Sequence, residues 1–252
     1  MIVYTPSLQA SYTSRVNANQ QMAENQEGGV SKREVWNSWI SQYADLSDPV
    51  PLFETDEDGV VQVKNHGRDN RPILKRSRRM ESLLSTEGRK VVDDWQGSDD
   101  TYEGVIYIMY TLDGDELVPR YVGKAGKYGK DGERLSANLR NVRTNRSKFA
   151  RWGDGYAYHI GDLSAAVLDH HEDPDVNRDR NPPGKYQKWA DALFVEDTRQ
   201  LKQPVYFWAR AWKYDDTGPF YGFETSLEAL EYNLINLGSD LYPEKVLNSE
   251  GA

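Results

Sequence analysis

Two tyrosines, a lysine and a glutamate carry the side-chain types from which a hydrolytic site could be built. Tyr107 and Tyr121 lie in β-branched and aromatic runs on either side of Asp113-Gly114-Asp115, and Lys124 follows Gly123 at the end of the second run. Strand, glycine-containing turn and strand predict a β-hairpin over about 104–124. Folding it makes the two phenols cross-strand neighbours, directly opposite or diagonal. A phenol, with an ordinary pKa of about 10, is a poor base at neutral pH, but a nearby cation favours its charged form. Glu231 lies on a predicted helix from about Ser226 to Leu237, whose apolar stripe is Leu227, Leu230, Leu234 and Leu237. At about 100° per residue its carboxylate falls inside that stripe, whereas Glu228 sits near the edge and can stay hydrated. An inward carboxylate is costly unless it is paired or binds a cation. Glu231 is therefore either a metal ligand or the buried partner of an arginine.

Composition narrows the chemistry. The chain of 252 residues is long enough to bury a full core. It has no cysteine and four histidines, which excludes disulfides, thiolate nucleophiles and Cys-ligated zinc, so any metal should sit on carboxylates. No stretch has the ~20 apolar residues of a membrane span, and the N-terminus lacks the basic start and apolar run of a signal peptide. A cytoplasmic protein without membrane contact is expected. A net charge of −9 argues against general coating of nucleic acid. Its distribution is uneven: Arg120 to Arg151 holds ten Lys or Arg against Asp131 and Glu133, and Arg68 to Lys90 holds eight against three acids. Two basic stripes on an acidic body suit a specific polyanion site, or else are solvated helix faces.

The elements that must position these groups are partly legible. Residues 1–30 read as a flexible arm, and Ser31-Lys32-Arg33-Glu34 as a capping box opening a helix to about Asp45. Val35, Trp36, Trp39, Ile40 and Tyr43 on one face of that helix read as core. A small hairpin is expected from Leu52-Phe53 and Val60 to Val63 around Asp58-Gly59. Asn70 and Pro72 then predict a second helix start, with Ile73, Met80 and Leu84 on one side. Lys75, Arg76, Arg78 and Arg79 on its remainder would touch DNA or form an ordinary solvated face. Gln96 to Asp100 reads as a linker, so 31–100 forms a mainly helical N-terminal extension and 101–252 a core. Within the core, Lys127 and Lys130 stand in a glycine-rich loop able to lie against phosphates. A helix from about Glu133 to Ala150 is predicted, with Leu135, Leu139, Val142 and Phe149 inward and Arg140, Arg143 and Lys148 outward. Tyr156 to Ile160, including His159, alternates like a third strand. Asp169 to Pro174 puts histidines beside acids in a loop, without the helical spacing of known metal sites. A helix over 186–197 and a strand over 205–212 complete the pattern.

Val105-Ile106-Tyr107 and Tyr121-Val122-Gly123 resemble the two halves of the signature of the GIY-YIG nuclease superfamily. Arg134, Leu230 to Ile235 around Glu231, Pro243 and Asn248 resemble, in order, the family's arginine, its metal-binding glutamate helix and its closing proline and asparagine. The resemblance covers about 102–248. It implies an α+β fold with a small antiparallel three-stranded sheet flanked by helices, here with an insertion at about 161–204. It further implies hydrolysis of DNA phosphodiesters with Mg²⁺ or Mn²⁺ on Glu231, Tyr107 as general base, Tyr121 orienting water or phosphate, and Arg134 clamping the phosphate. Lys124 would favour the phenolate, and Asn248 would support the site. Some members that resemble restriction enzymes carry a histidine one turn after the arginine, where this chain has Asn138; His159 could substitute, or be a packed core residue. Without a zinc finger or helix-turn-helix, the chain most resembles the superfamily's compact restriction endonucleases, which implies a dimer on palindromic double-stranded DNA. A homing or structure-selective repair nuclease, and a catalytically silent DNA-binding module, are the alternatives.

Overall fold

The computed structural model describes residues 29–168, 184–220 and 223–248. The first 28 residues and the Asp169 to Pro174 motif lie outside the described residues. Helix α1 (Lys32–Tyr43) begins at the expected capping box, Ser31 accepting from the Glu34 amide and Glu34 from that of Ser31, and it buries Trp36, Trp39 and Ile40. Gly59, at φ 79°, turns the chain so that Thr55 pairs with Val61, as the expected small hairpin requires. Val63 then leaves to start a second hairpin.

In that second hairpin β1 (Val63–His66) pairs antiparallel with β2 (Arg71–Leu74). The helix expected to start at Asn70 is thus a strand at first, because Ile73 and Leu74 are both fully enclosed, which a strand buried on two faces allows and a one-faced surface helix does not. Helix α2 (Arg78–Gly97) instead starts at Ser77, whose hydroxyl accepts from the Met80 amide. It covers only the first two residues of the expected linker and stops at Ser98, which adopts the left-handed conformation. The Asp94 carboxylate then accepts from the amides of Thr101 and Tyr102, fastening the helix end to the next strand.

Strands β3 (Tyr102–Asp113) and β4 (Glu116–Gly126) form the predicted hairpin, with Asp113 opposite Glu116 and Gly114 at φ 58° in the turn. A bulge between Met109 and Tyr110 leaves Arg120 without an opposite residue and accommodates Pro119, which cannot donate to a ladder. The predicted helix over 133–150 is broken. Only α3 (Ala137–Arg140) is α-helical, and a 3₁₀ segment follows at Arg146–Arg151. Asn141 and Asn145 explain the break, their side chains bonding the Ala137 carbonyl and the Ser147 amide in competition with a continuing helix. The expected strand at 156–160 is also overturned. Asp162 accepts from the Ala157 amide, and the chain enters helix α4 (His159–Leu168). Helix α5 (Gly184–Leu193), β5 (Tyr206–Lys213) and α6 (Leu227–Leu241) follow close to the predicted places.

The fold is mixed α+β with an antiparallel three-stranded sheet in the order β4-β3-β5. Both faces are covered. Tyr107, Met109, Tyr121, Phe207 and Ala209 share a core with residues of β2, α2, α4 and α5, while Ile106, Ile108, Val122 and Trp212 pack against α1 and α6. The β3–β4 runs therefore read as nearly continuous apolar sequence. Among the described residues, no helix is long and apolar enough to cross a membrane.

Lys127, expected to face phosphates, is buried and bonds Asp94 at 2.8 Å. Burial would raise the Asp94 pKa, but the Lys127 bond and the two backbone amides outweigh it and hold the value below the ordinary one. The resulting stabilisation is present above about pH 4 and is lost as pH falls through the lowered value. Lys127→Met should cost about 3 kcal/mol in urea unfolding at pH 7, because it strands a buried carboxylate, and the loss should shrink in acid.

Candidate active site

The site is organised around Gly123. Tyr107 lies opposite Gly123 and Met109 opposite Tyr121, so the phenols are diagonal neighbours with ring centroids 6.4 Å apart. A Cβ at position 123 would stand 2.6 Å from the Tyr107 ring, so only glycine lets that ring lie across β4. The Tyr107 hydroxyl thereby reaches the Lys124 carbonyl, to which it donates at 3.3 Å. Phe207 stacks on the same ring and Trp152 meets it edge-on. Burial, and then Tyr121 beside it, push the Tyr107 pKa well above its usual 10; Arg151 opposes this and Glu231 adds to it. The expected cationic lowering of this phenol is overturned by desolvation.

On the opposite face of the sheet, the Lys124 side chain extends towards α6. Ser226 caps α6 by accepting from the Ala229 amide, and Glu103 accepts from the Leu227 amide at 2.8 Å. This sets the helix rotation that turns Glu231 to Lys124. The ammonium bonds the Glu231 carboxylate at 2.6 Å, lies 3.6 Å from Glu228 and rests over the Tyr232 ring. The partner of Glu231 is thus a lysine and not an arginine. Burial would lower the Lys124 pKa, but the Glu231 bond and the charges of Glu231 and Glu228 prevail and raise it, so the group stays cationic. Phenols and carboxylate lie on different faces of the sheet, joined through Lys124, whose backbone carbonyl accepts from Tyr107 and whose ammonium pairs with Glu231.

Asn248 spans that edge. Its amide accepts from the Val122 amide at 3.0 Å and donates to the Val122 carbonyl at 2.8 Å, so both of its groups are spent on the strand and it acts as a tether. Arg134 does not join the site. It precedes α3, its side chain is 84% exposed, and its nearest acid is Asp131 at 3.7 Å. The guanidinium whose charge reaches Tyr107 and His159 is that of Arg151, carried on a turn in which Ala150 and Arg151 have φ of 42° and 72°. Such backbone strain costs on the order of 1–3 kcal/mol per residue and is invisible to helical periodicity. Arg76 holds the turn from inside, donating to the Trp152 carbonyl and pairing with buried Asp154 at 2.9 Å.

His159 opens α4 and is enclosed by Trp152, Trp189, Tyr121 and Tyr107. Its Nδ1 lies 2.9 Å from the Tyr186 hydroxyl, and burial, followed by Lys185 and Arg151, keeps it neutral. Lys185, unforeseen in the sequence because no motif surrounds it, donates to the Tyr121 hydroxyl at 3.3 Å. Among the other expected DNA contacts, Arg76 is buried, Lys75 bonds Gln62 and Arg79 pairs with Asp48. Arg78, Lys130, Arg140 and Arg143 are exposed, and Lys148 partly so.

No family model, curated protein or solved structure matches the chain. Among the described residues, no three His, Cys, Asp or Glu side chains gather as a metal site would need. The nearest carboxylates are Glu231 and Glu228, both on the Lys124 ammonium. Glu231 engages Lys124 through one carboxylate oxygen and is 18% exposed, and Mg²⁺ keeps most of its water and needs one or two carboxylates plus phosphate.

Gly123→Ala should displace the Tyr107 ring and lower stability by about 1–3 kcal/mol in chemical denaturation. An unchanged midpoint would mean that the ring can leave β4 without cost.

Proposed function

We propose that the chain is a divalent-metal-dependent endonuclease that hydrolyses DNA phosphodiesters, built as a GIY-YIG-like domain. The observation that carries this reading is the sequence Tyr121, Gly123 and Lys124 along β4, with Tyr107 bonded across the strand to the Lys124 carbonyl and Glu231 paired with the Lys124 ammonium. Glu231 would hold Mg²⁺ or Mn²⁺, which supplies Lewis-acid stabilisation to the phosphoryl and leaving oxygens. Lys124, cationic and next to the carboxylate, would attract the phosphate and offset its charge. Arg151 takes the guanidinium role first assigned to Arg134, with a planar fork suited to two phosphate oxygens. A phenol would receive the proton of the attacking water. Tyr107, whose burial disfavours the phenolate, suits orientation of that water better than its deprotonation.

Exposed Lys130, Arg140, Arg143 and partly exposed Lys148 would contact the backbone of double-stranded DNA, and their loss should weaken binding with reduced salt dependence. The finer proposal is a cytoplasmic restriction-type enzyme acting as a homodimer on a palindrome. One observation favours the silent DNA-binding alternative: Lys124 already neutralises Glu231. Digestion of plasmid DNA with Mg²⁺ or Mn²⁺ separates the two. Cleavage is expected, and Glu231→Ala should lower it about 10³-fold or more while sparing DNA binding. DNA binding without cleavage under any tested metal would support the silent module.

A further inference from the structure

Lys185 lies in the stretch that the GIY-YIG resemblance treats as an insertion, yet its ammonium enters the phenol cluster. Helix α5 brings it to 3.3 Å from the Tyr121 hydroxyl and 4.4 Å from the centre of the Tyr121 ring. Trp189 and Tyr186 hold the same ammonium over their rings, at 5.2 and 5.7 Å. An ammonium flanked by three aromatic rings is favoured in that position by cation–π attraction. Its N–H donates to a phenol oxygen, and that bond strengthens when the oxygen becomes negative. The two tyrosines are therefore not equivalent: Tyr107 gives its proton to a backbone carbonyl, whereas Tyr121 receives a bond from a cation.

We propose that Lys185 is a positioning residue that makes Tyr121 the proton acceptor of the site, so that the insertion completes the catalytic apparatus. The proposal rests on the nuclease reading for its role in rate. In the step, one proton of the attacking water passes to the Tyr121 phenolate and the hydroxide oxygen bonds to phosphorus. The bond to the leaving oxygen breaks, and that oxygen is protonated by solvent. Lys185 keeps its own protons throughout. Among the described residues, the titratable rings against Tyr121 are Tyr107 on β3 and His159 on α4; Arg151 and Tyr186 act on that cluster through Tyr107 and His159, and Glu231 acts through Tyr107. His159 is neutral and bonded to Tyr186, and Lys185 donates to the Tyr121 oxygen.

The test is ¹³Cζ-tyrosine NMR of the full chain across pH, with Tyr121→Phe assigning the signal, run on wild type, Lys185→Met and Lys185→Arg. Methionine keeps the apolar stem, and a circular dichroism melt checks the fold. The Tyr121 signal should titrate about one pH unit higher in Lys185→Met, a tenfold change in phenolate fraction, with partial return in Lys185→Arg. The rising limb of the cleavage pH profile should move with it, lowering the rate at neutral pH roughly tenfold or more. An unchanged Tyr121 titration in a folded Lys185→Met protein overturns the role of Lys185, whether or not wild type cuts DNA. A shifted titration in a wild type that never cuts supports the contact and contradicts only the nuclease reading.

Discussion

The missing side chain at position 123 is the constraint from which the rest of the site follows. Because nothing projects from β4 there, the Tyr107 ring crosses the strand and brings its hydroxyl to the Lys124 carbonyl at the sheet edge. The same strand sends the Lys124 side chain to the other face, where Glu231 awaits it. One residue, Lys124, is thus engaged from both faces of the sheet, by Tyr107 at its carbonyl and by Glu231 at its ammonium. Any larger residue would force the ring back towards Trp152 and Phe207, into space that is already filled.

Rigid supports surround this edge. Asn248 occupies the outward amide and carbonyl of Val122, blunting an otherwise open edge strand without covering Lys124. Buried Lys127 and Asp94 join the start of β3 to the end of β4 and to α2, so the strand register next to the site depends on an ion pair that is expensive to break. The Arg76–Asp154 pair performs the same service for the turn bearing Arg151. Two of the cations that looked available for phosphate are thus invested in architecture, and Arg76 fastens the residues just beyond the left-handed backbone at Ala150 and Arg151.

The sequence revealed what depends on local pattern. The hairpin, its turn, the diagonal phenols, the capping box at Ser31 and the inward face of Glu231 each follow from spacing over a few residues. What failed depended on tertiary competition. Lys127 and Arg76 have the sequence surroundings of surface cations, because burial partners 33 and 78 positions away leave no local trace. Arg134 was placed at a helix start, but asparagines shortened the helix and the guanidinium whose charge reaches the phenols comes from a strained turn no periodicity announces. Lys185 is illegible in the sequence for a related reason. Nothing near it in sequence marks a site, and only the packing of α5 against β4 carries its ammonium to Tyr121.

The central claim is that the edge at Gly123 holds a metal and a scissile phosphate together. Anomalous diffraction from crystals with Mn²⁺ and a non-cleavable duplex tests it most directly. A Mn²⁺ peak coordinated by Glu231, with a phosphate between it and the Tyr121 hydroxyl, is the expected result. Mn²⁺ bound elsewhere, with Glu231 still closed on Lys124 and the duplex lying away from the β4 edge, would contradict it.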